Sequence, residues 1–267
     1  MRRVAVAQLV SSDNLDENLS VLDGLFSKAS TEGALLFVLP ENFAFMGRHE
    51  PDKLAVAEDE GIGLIQQTLS NLSRKYNIWV VAGTVPLKTP DGRVWASSLV
   101  FNAEGTQVAR YDKIHLFDVR VSDSEAYEES KTCIPGKTPV VIDTPIGRLG
   151  LSVCYDVRFP ELYRDLVTQG AEVFTMVAAF TATTGAAHWH TLLRARAIEN
   201  MSYMLASNQG GMHANGRETY GHSLIVDPWG KIVSEIKQGT GLIFADIDLN
   251  YLHERRTAFP CLDHRIL

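Results

Sequence analysis

The chain has 267 residues, 45% of them hydrophobic and 21% charged, with a net charge of −7 and a mean hydropathy of −0.03. That is the composition of a soluble globular protein with a sizeable core, and its acidic balance argues against a basic nucleic-acid-binding face. No run approaches the ~18 apolar residues of a membrane span, and three cysteines without a CxxC pair point to reduced thiols and a cytoplasmic setting.

The apolar run 4–10 reads as a first strand rather than a signal peptide, because Ser11, Ser12 and Asp13 follow at once. Residues 14–30 carry Leu15, Leu19, Leu22 and Leu25 at helical spacing. A short strand over 35–40, a helix over 63–76 and a β-rich run over 78–85 come next. Segments 96–102 and 106–111 flank Glu104-Gly105 as a hairpin. After a polar stretch the pattern predicts strands over 140–143 and 149–154, a helix over 160–169 and a strand over 173–180. A helix from about 188 to 200 and a strand over 204–208 follow. A second hairpin joins 223–226 to 232–236 across Asp227-Pro228-Trp229-Gly230, and 241–247 adds a closing strand. No repeat or Pro/Ser-rich linker interrupts this, so one domain over 1–267 is expected. Two packed mixed sheets with helices outside suit the two loosely similar halves.

Three positions carry the chemistry. Cys154 follows the apolar stretch Leu149 to Val153 and precedes Tyr155-Asp156-Val157-Arg158-Phe159-Pro160, where the proline opens a helix. A thiol at a strand-to-helix bend, beside free backbone N–H groups, is placed as a nucleophile. Glu41 ends the run Leu35-Leu36-Phe37-Val38-Leu39-Pro40, a partly desolvated setting suited to a general base. Lys113, in Tyr111-Asp112-Lys113-Ile114-His115, would favour a thiolate and steady an oxyanion. Arg158 stands four residues past the thiol, where its guanidinium could take a substrate carboxylate in a bidentate fork.

Together, Glu41 in Pro-Glu-Asn-Phe, Lys113 in Tyr-Asp-Lys-Ile-His-Leu-Phe-Asp and Cys154 in Val-Cys-Tyr-Asp-Val-Arg-Phe-Pro-Glu resemble the nitrilase (carbon–nitrogen hydrolase) superfamily. The resemblance implies an α/β fold, a four-layer αββα sandwich, paired into homodimers through helices near the nucleophile. It implies a Glu41-Lys113-Cys154 triad hydrolysing an amide through a thioester, with the Tyr155 N–H sharing the oxyanion and no metal or organic cofactor. A second glutamate before the cysteine matches Glu129, with Glu128 as its neighbour. The segments 180–189, 193–200 and 220–230 are similar to the Nit branch, in which residues matching Arg158, Phe180 and Thr184 contact a 2-oxo dicarboxylate. Asn208-Gln209-Gly210-Gly211-Met212-His213 resembles the deaminated-glutathione amidases of that branch more than its ω-amidases. Val177-Ala178-Ala179 departs from a stretch that often contains proline. The implied partner is a small acidic amide, with neither nucleic acid nor membrane involved.

Other readings are an ω-amidase acting on 2-oxoglutaramate, a broader aliphatic amidase, or an idle scaffold that keeps the fold. A papain-like hydrolase needs a histidine base, and no histidine has a comparable strand-end context. His188, His190, His213 and His222 could suggest metal ligation, but His188 and His190 lie two apart at a helix start and so face different ways, and no HExxH occurs, so no metal site is expected. Cys133 and Cys261 read as bystander thiols.

Overall fold

The computed structural model describes residues 2–121, 123 and 125–266. Strands β1 (Arg2–Gln8), β2 (Leu36–Leu39), β3 (Trp79–Ala82), β4 (Val85–Lys88), β5 (Val94–Phe101) and β6 (Gln107–Asp112) lie in one seven-stranded sheet. Its last member is β15 (Gly241–Ile247), which returns from the far end of the chain. The order is β15-β1-β2-β3-β5-β4, with β6 on β5. A six-stranded sheet holds β9 (Val141–Thr144), β10 (Gly147–Val153), β11 (Val173–Ala178), β12 (Tyr203–Asn208), β13 (Ser223–Val226) and β14 (Ile232–Ile236) in the order 14-13-12-11-10-9. A small ribbon pairs β7 (Asp118–Arg120) with β8 (Ala126–Glu128).

Each large sheet has a parallel centre, β1-β2-β3 and β10-β11-β12, with antiparallel flanks. Alternation along the strands sorts the core into layers. In β1, Val4 and Val6 join a cluster with Leu36, Val38, Leu151 and Leu205, which fills the space between the sheets. Ala5 and Ala7 face the other way, with Phe37 and Val80, against α2 (Leu22–Thr31) and α3 (Leu64–Tyr76). On the second sheet, α4 (Pro160–Thr168) and α5 (Ala182–Asn200) cover the outside through Tyr163, Leu166, Trp189 and Leu193. The layers therefore run helix, sheet, sheet, helix, as the resemblance implied.

Four local features differ from the sequence reading. The helix expected over 14–30 is split at Val21 into α1 (Leu15–Ser20) and α2. Val21 keeps helical angles (φ −78°, ψ −18°), so the interruption lies in the hydrogen bonding, with Leu25 N to Val21 O stretched to 3.4 Å. Helix α5 starts at Ala182, ahead of His188, because Thr181 caps it by accepting from Thr184 N. Its first six residues are small and show no apolar period. A terminal helix α6 (Leu249–Ala258), capped by Asp248, and the β7–β8 ribbon were not foreseen. No helix among the described residues is long and apolar enough to cross a membrane.

Phe26 is fully buried, its ring edge-on to Phe37 at 5.1 Å between centroids. Phe26→Ala should cost about 3–5 kcal/mol, read as a lower urea midpoint at an unchanged m-value.

Candidate active site

The chemistry gathers where strands stop. Cys154 follows β10 directly and opens a 3₁₀ turn over Cys154–Arg158; Glu41 lies two residues beyond β2; Lys113 follows β6. Glu129 begins a short turn after β8. The site therefore takes side chains from both sheets, two of them beyond the carboxyl ends of parallel strands, where open α/β sheets place their ligands.

The backbone is bent at two of these points. Cys154 sits at φ +47° and Asn42, next to Glu41, at φ +58°, left-handed angles that side chains seldom adopt. Neighbouring groups hold both bends. The Asn42 N–H donates to Thr84 Oγ1, and Glu41 O accepts from Gln209 Nε2 at 3.0 Å. Gly83 is needed beside that loop, since a Cβ there would stand 1.8 Å from Pro40 O. The Cys154 turn is fixed by Asp156, fully buried, whose carboxylate accepts from Val153 N (2.8 Å), Tyr111 Oη (2.7 Å) and His115 N (3.1 Å). His115 Nδ1 lies 2.7 Å from the same carboxylate, and its ring stacks on Phe159. One acid thus ties the lysine loop to the cysteine turn.

Glu41, Lys113, Glu129 and Cys154 are all buried and line one chamber. Lys113 Nζ donates to Glu41 Oε1 at 3.0 Å and to Glu129 Oε1 and Oε2 at 3.0 and 2.8 Å. Glu41 Oε2 accepts from Ala179 N at 2.8 Å, and Glu129 Oε2 from Phe117 N at 2.7 Å. Burial opposes the charge on Lys113, but the carboxylates of Glu129 and Glu41 outweigh it and hold the ammonium well above its ordinary range. Burial also opposes the charge on Glu129, and Lys113 reverses the effect and keeps that carboxyl below its usual value. Cys154 goes the other way. Burial first, then the negative charge of Glu41, lift the thiol well above its ordinary range, so it rests protonated at neutral pH.

Arg158, Phe180 and Thr184 are outside the lining of this chamber. Arg158 is half-buried, its guanidinium 5.4 Å from the Phe180 ring and 5.8 Å from the Tyr155 ring, donating to His188 Nδ1 at 3.2 Å. It is not among the residues that line the chamber. Phe180 is buried against Trp189, and Thr184 Oγ1 lies 2.7 Å from Thr181 Oγ1 in the first turn of α5. Tyr155 is an early residue of its 3₁₀ turn, and such N–H groups have no acceptor within the turn. Glu128 points outward and pairs with Lys131. Ala179, in the stretch that departed from the family pattern, proves to supply the N–H to Glu41 and a carbonyl to Arg217.

Two features escaped the sequence reading. Arg217, in a tight turn between the bridged residues Met212 and Glu218, lines the same chamber as Cys154. No periodicity marks that polar turn. His190, His222 and Glu235 also converge, both imidazoles reaching Glu235 Oε1 at 2.9 and 2.6 Å. Both histidines are among the candidates the sequence offers, but nothing in the linear chain joins them to each other or to Glu235.

Glu129→Gln keeps the shape but leaves the buried Lys113 with one carboxylate, and should cost about 3–5 kcal/mol at pH 7. The folded pKa of Glu129 is depressed, so its stabilisation is complete above the unfolded value of 4.5 and is lost as pH falls through the lower folded one. The melting-temperature gap between wild type and variant should therefore narrow as pH is lowered below 4.5.

Comparison with known proteins shows one family along nearly the whole chain. The family model for Carbon-nitrogen hydrolase matches residues 3–257. The deaminated glutathione amidase of Synechocystis sp. is 42% identical over 266 residues, covering 98% of this chain and 97% of that protein. The crystal structure of the Caenorhabditis elegans NitFhit protein superposes with a TM-score of 0.92 at 38% identity. It covers 99% of this chain, which spans 65% of the length of that protein. An amidase from Nesterenkonia sp. AN1, solved with acrylamide added to its active site cysteine, superposes with a TM-score of 0.81 at 28% identity, covering 97% of this chain and 98% of that one. With a match from Arg3 almost to the end of α6 and these relatives along nearly its whole length, the chain belongs to the carbon–nitrogen hydrolase family.

Proposed function

We propose that this protein is an amidase that hydrolyses deaminated glutathione to 2-oxoglutarate and Cys-Gly, a metabolite-repair reaction. The observation that carries the reading is the buried Glu41–Lys113–Glu129 charge chain beside a neutral Cys154. A protonated thiol needs a base at the moment of attack, and a buried ammonium next to it is suited to an oxyanion. The relatives named for this substrate and the acrylamide adduct on a neighbour's active site cysteine support it.

In the proposed cycle Glu41 takes the Cys154 proton as sulfur attacks the amide carbon. Lys113 Nζ and the Tyr155 N–H hold the resulting oxyanion. The C–N bond then breaks, and the amine leaves with the proton returned by Glu41, with Glu129 in support. Glu41 next takes a proton from water, which adds to the thioester. Collapse breaks the C–S bond, releases the acid and restores the thiol. Arg158, with Phe180 and Thr184, is assigned the 2-oxo acid end.

The test compares kcat/KM on deaminated glutathione and on 2-oxoglutaramate. A preference for the first above about tenfold, ~1.4 kcal/mol of transition-state discrimination, is expected. Cys154→Ala should abolish hydrolysis, and Lys113→Met should lower kcat by about 10²–10³. Preference for 2-oxoglutaramate would make the protein an ω-amidase with the same chemistry, and hydrolysis of neither would overturn the substrate assignment.

A further inference from the structure

The chamber at Cys154 is small, about 40 Å³, with room for only a few waters. Beside it lies an outer cavity of about 540 Å³, within the ~300–1,000 Å³ range of small-molecule sites. Arg217, Tyr127 and Lys53 line both, so the two spaces adjoin. A bulky group leaving Cys154 has its volume there.

The cations of the outer cavity are mostly neutralised. Arg48 pairs with Asp13, Lys53 with Glu50 and Lys131 with Glu128, and His49 lies 3.7 Å from Asp52. Arg217 is the exception: it makes no ion pair with a carboxylate of the described residues. Its Nη2 donates to the Ala179 carbonyl, its plane lies over the Tyr127 ring at 4.9 Å, and its buried Nε has no hydrogen-bond partner. The same guanidinium is thus anchored at one corner and has donors left over beside the reacting sulfur.

We propose that Arg217 binds the terminal carboxylate of the leaving dipeptide and that the outer cavity is the leaving-group subsite. The inference rests on the deaminated-glutathione reading above. That substrate carries two carboxylates, one on each side of the scissile amide. With the 2-oxo acid end assigned to Arg158, on the nucleophile's own 3₁₀ turn, the amine side is left to the 213–217 turn. A planar guanidinium suits a carboxylate better than the compact ammonium of Lys53, which Glu50 already occupies. 2-Oxoglutaramate has the same acyl half but releases ammonia, so it offers Arg217 nothing. Arg217 then sets the selectivity between leaving groups without taking part in the bond changes.

The experiment uses wild type and Arg217→Gln on three substrates: deaminated glutathione, the same compound with its glycine carboxylate as a carboxamide, and 2-oxoglutaramate. Wild type should lose about tenfold or more in kcat/KM on the carboxamide, the scale of a charge-assisted hydrogen bond. Arg217→Gln should show a similar loss on the parent and little further loss on the carboxamide. Its ratio of kcat/KM for deaminated glutathione over 2-oxoglutaramate should fall by about tenfold or more. Equal losses on those two substrates would overturn the assignment, placing Arg217 on the acyl side or making it only a prop for Ala179 and Tyr127. If the variant does not fold, wild type alone decides: a carboxamide turned over as fast as the parent overturns the proposal. Wild type that hydrolyses neither deaminated glutathione nor 2-oxoglutaramate overturns the substrate reading, and this assignment with it.

Discussion

One buried ammonium organises this molecule. Lys113 lies between Glu41 and Glu129, and a charge in that position is tolerable only if every partner atom is in place. The requirement reaches well beyond the three side chains. Each carboxylate uses one oxygen or both on Lys113, and the other contacts come from backbone N–H groups of Ala179 and Phe117. Ala179 follows β11 of one sheet, whereas Glu41 follows β2 of the other. The electrostatics of a single lysine therefore constrain how the two sheets face each other.

The thiol is held in the opposite condition. Burial and the charge of Glu41 keep Cys154 neutral, while Lys113 and Arg217 pull less strongly toward the thiolate. In the proposed cycle ionisation is left to the encounter with substrate, when a developing oxyanion would give the lysine a third negative partner beside Glu41 and Glu129. The left-handed backbone at Cys154 belongs to the same arrangement, because it turns the chain sharply where β10 passes into the 3₁₀ turn. Asp156 keeps that turn from relaxing by bonding on both sides of the site.

Much of this was legible in the chain itself, for a physical reason. Strands buried on both faces read as continuous apolar runs, and a charged or nucleophilic residue directly after such a run is conspicuous, as at Glu41 and Cys154. Lys113 stood out only beside the other two, since a lysine after a strand is ordinarily a surface residue. Arg217 was invisible because its importance comes from a bridge that folds a polar turn back over the cavity, a contact with no local signature. Helix α6 was missed because Leu252 alone among its residues is buried, which leaves no apolar stripe to detect. The early start of α5 rests on a threonine cap and a run of small residues, both weak signals in a linear reading.

Strand β15 pairs with β1 from Arg2 opposite Ile247 to Gln8 opposite Gly241, joining the two ends of the sequence. During synthesis β1 emerges long before β15, and its outer edge stays open until β15 has been made. Val4, Ala5, Val6 and Ala7 are fully buried in the finished fold, so the nascent protein carries an apolar, unpaired strand edge until β15 arrives. Closure across some 240 residues is the kind of long-range contact that slows folding. Stop codons or ribosome stalls that remove only β15 and α6 would spare the segments that carry Glu41, Lys113, Glu129 and Cys154, yet leave a sheet prone to pair with its neighbours.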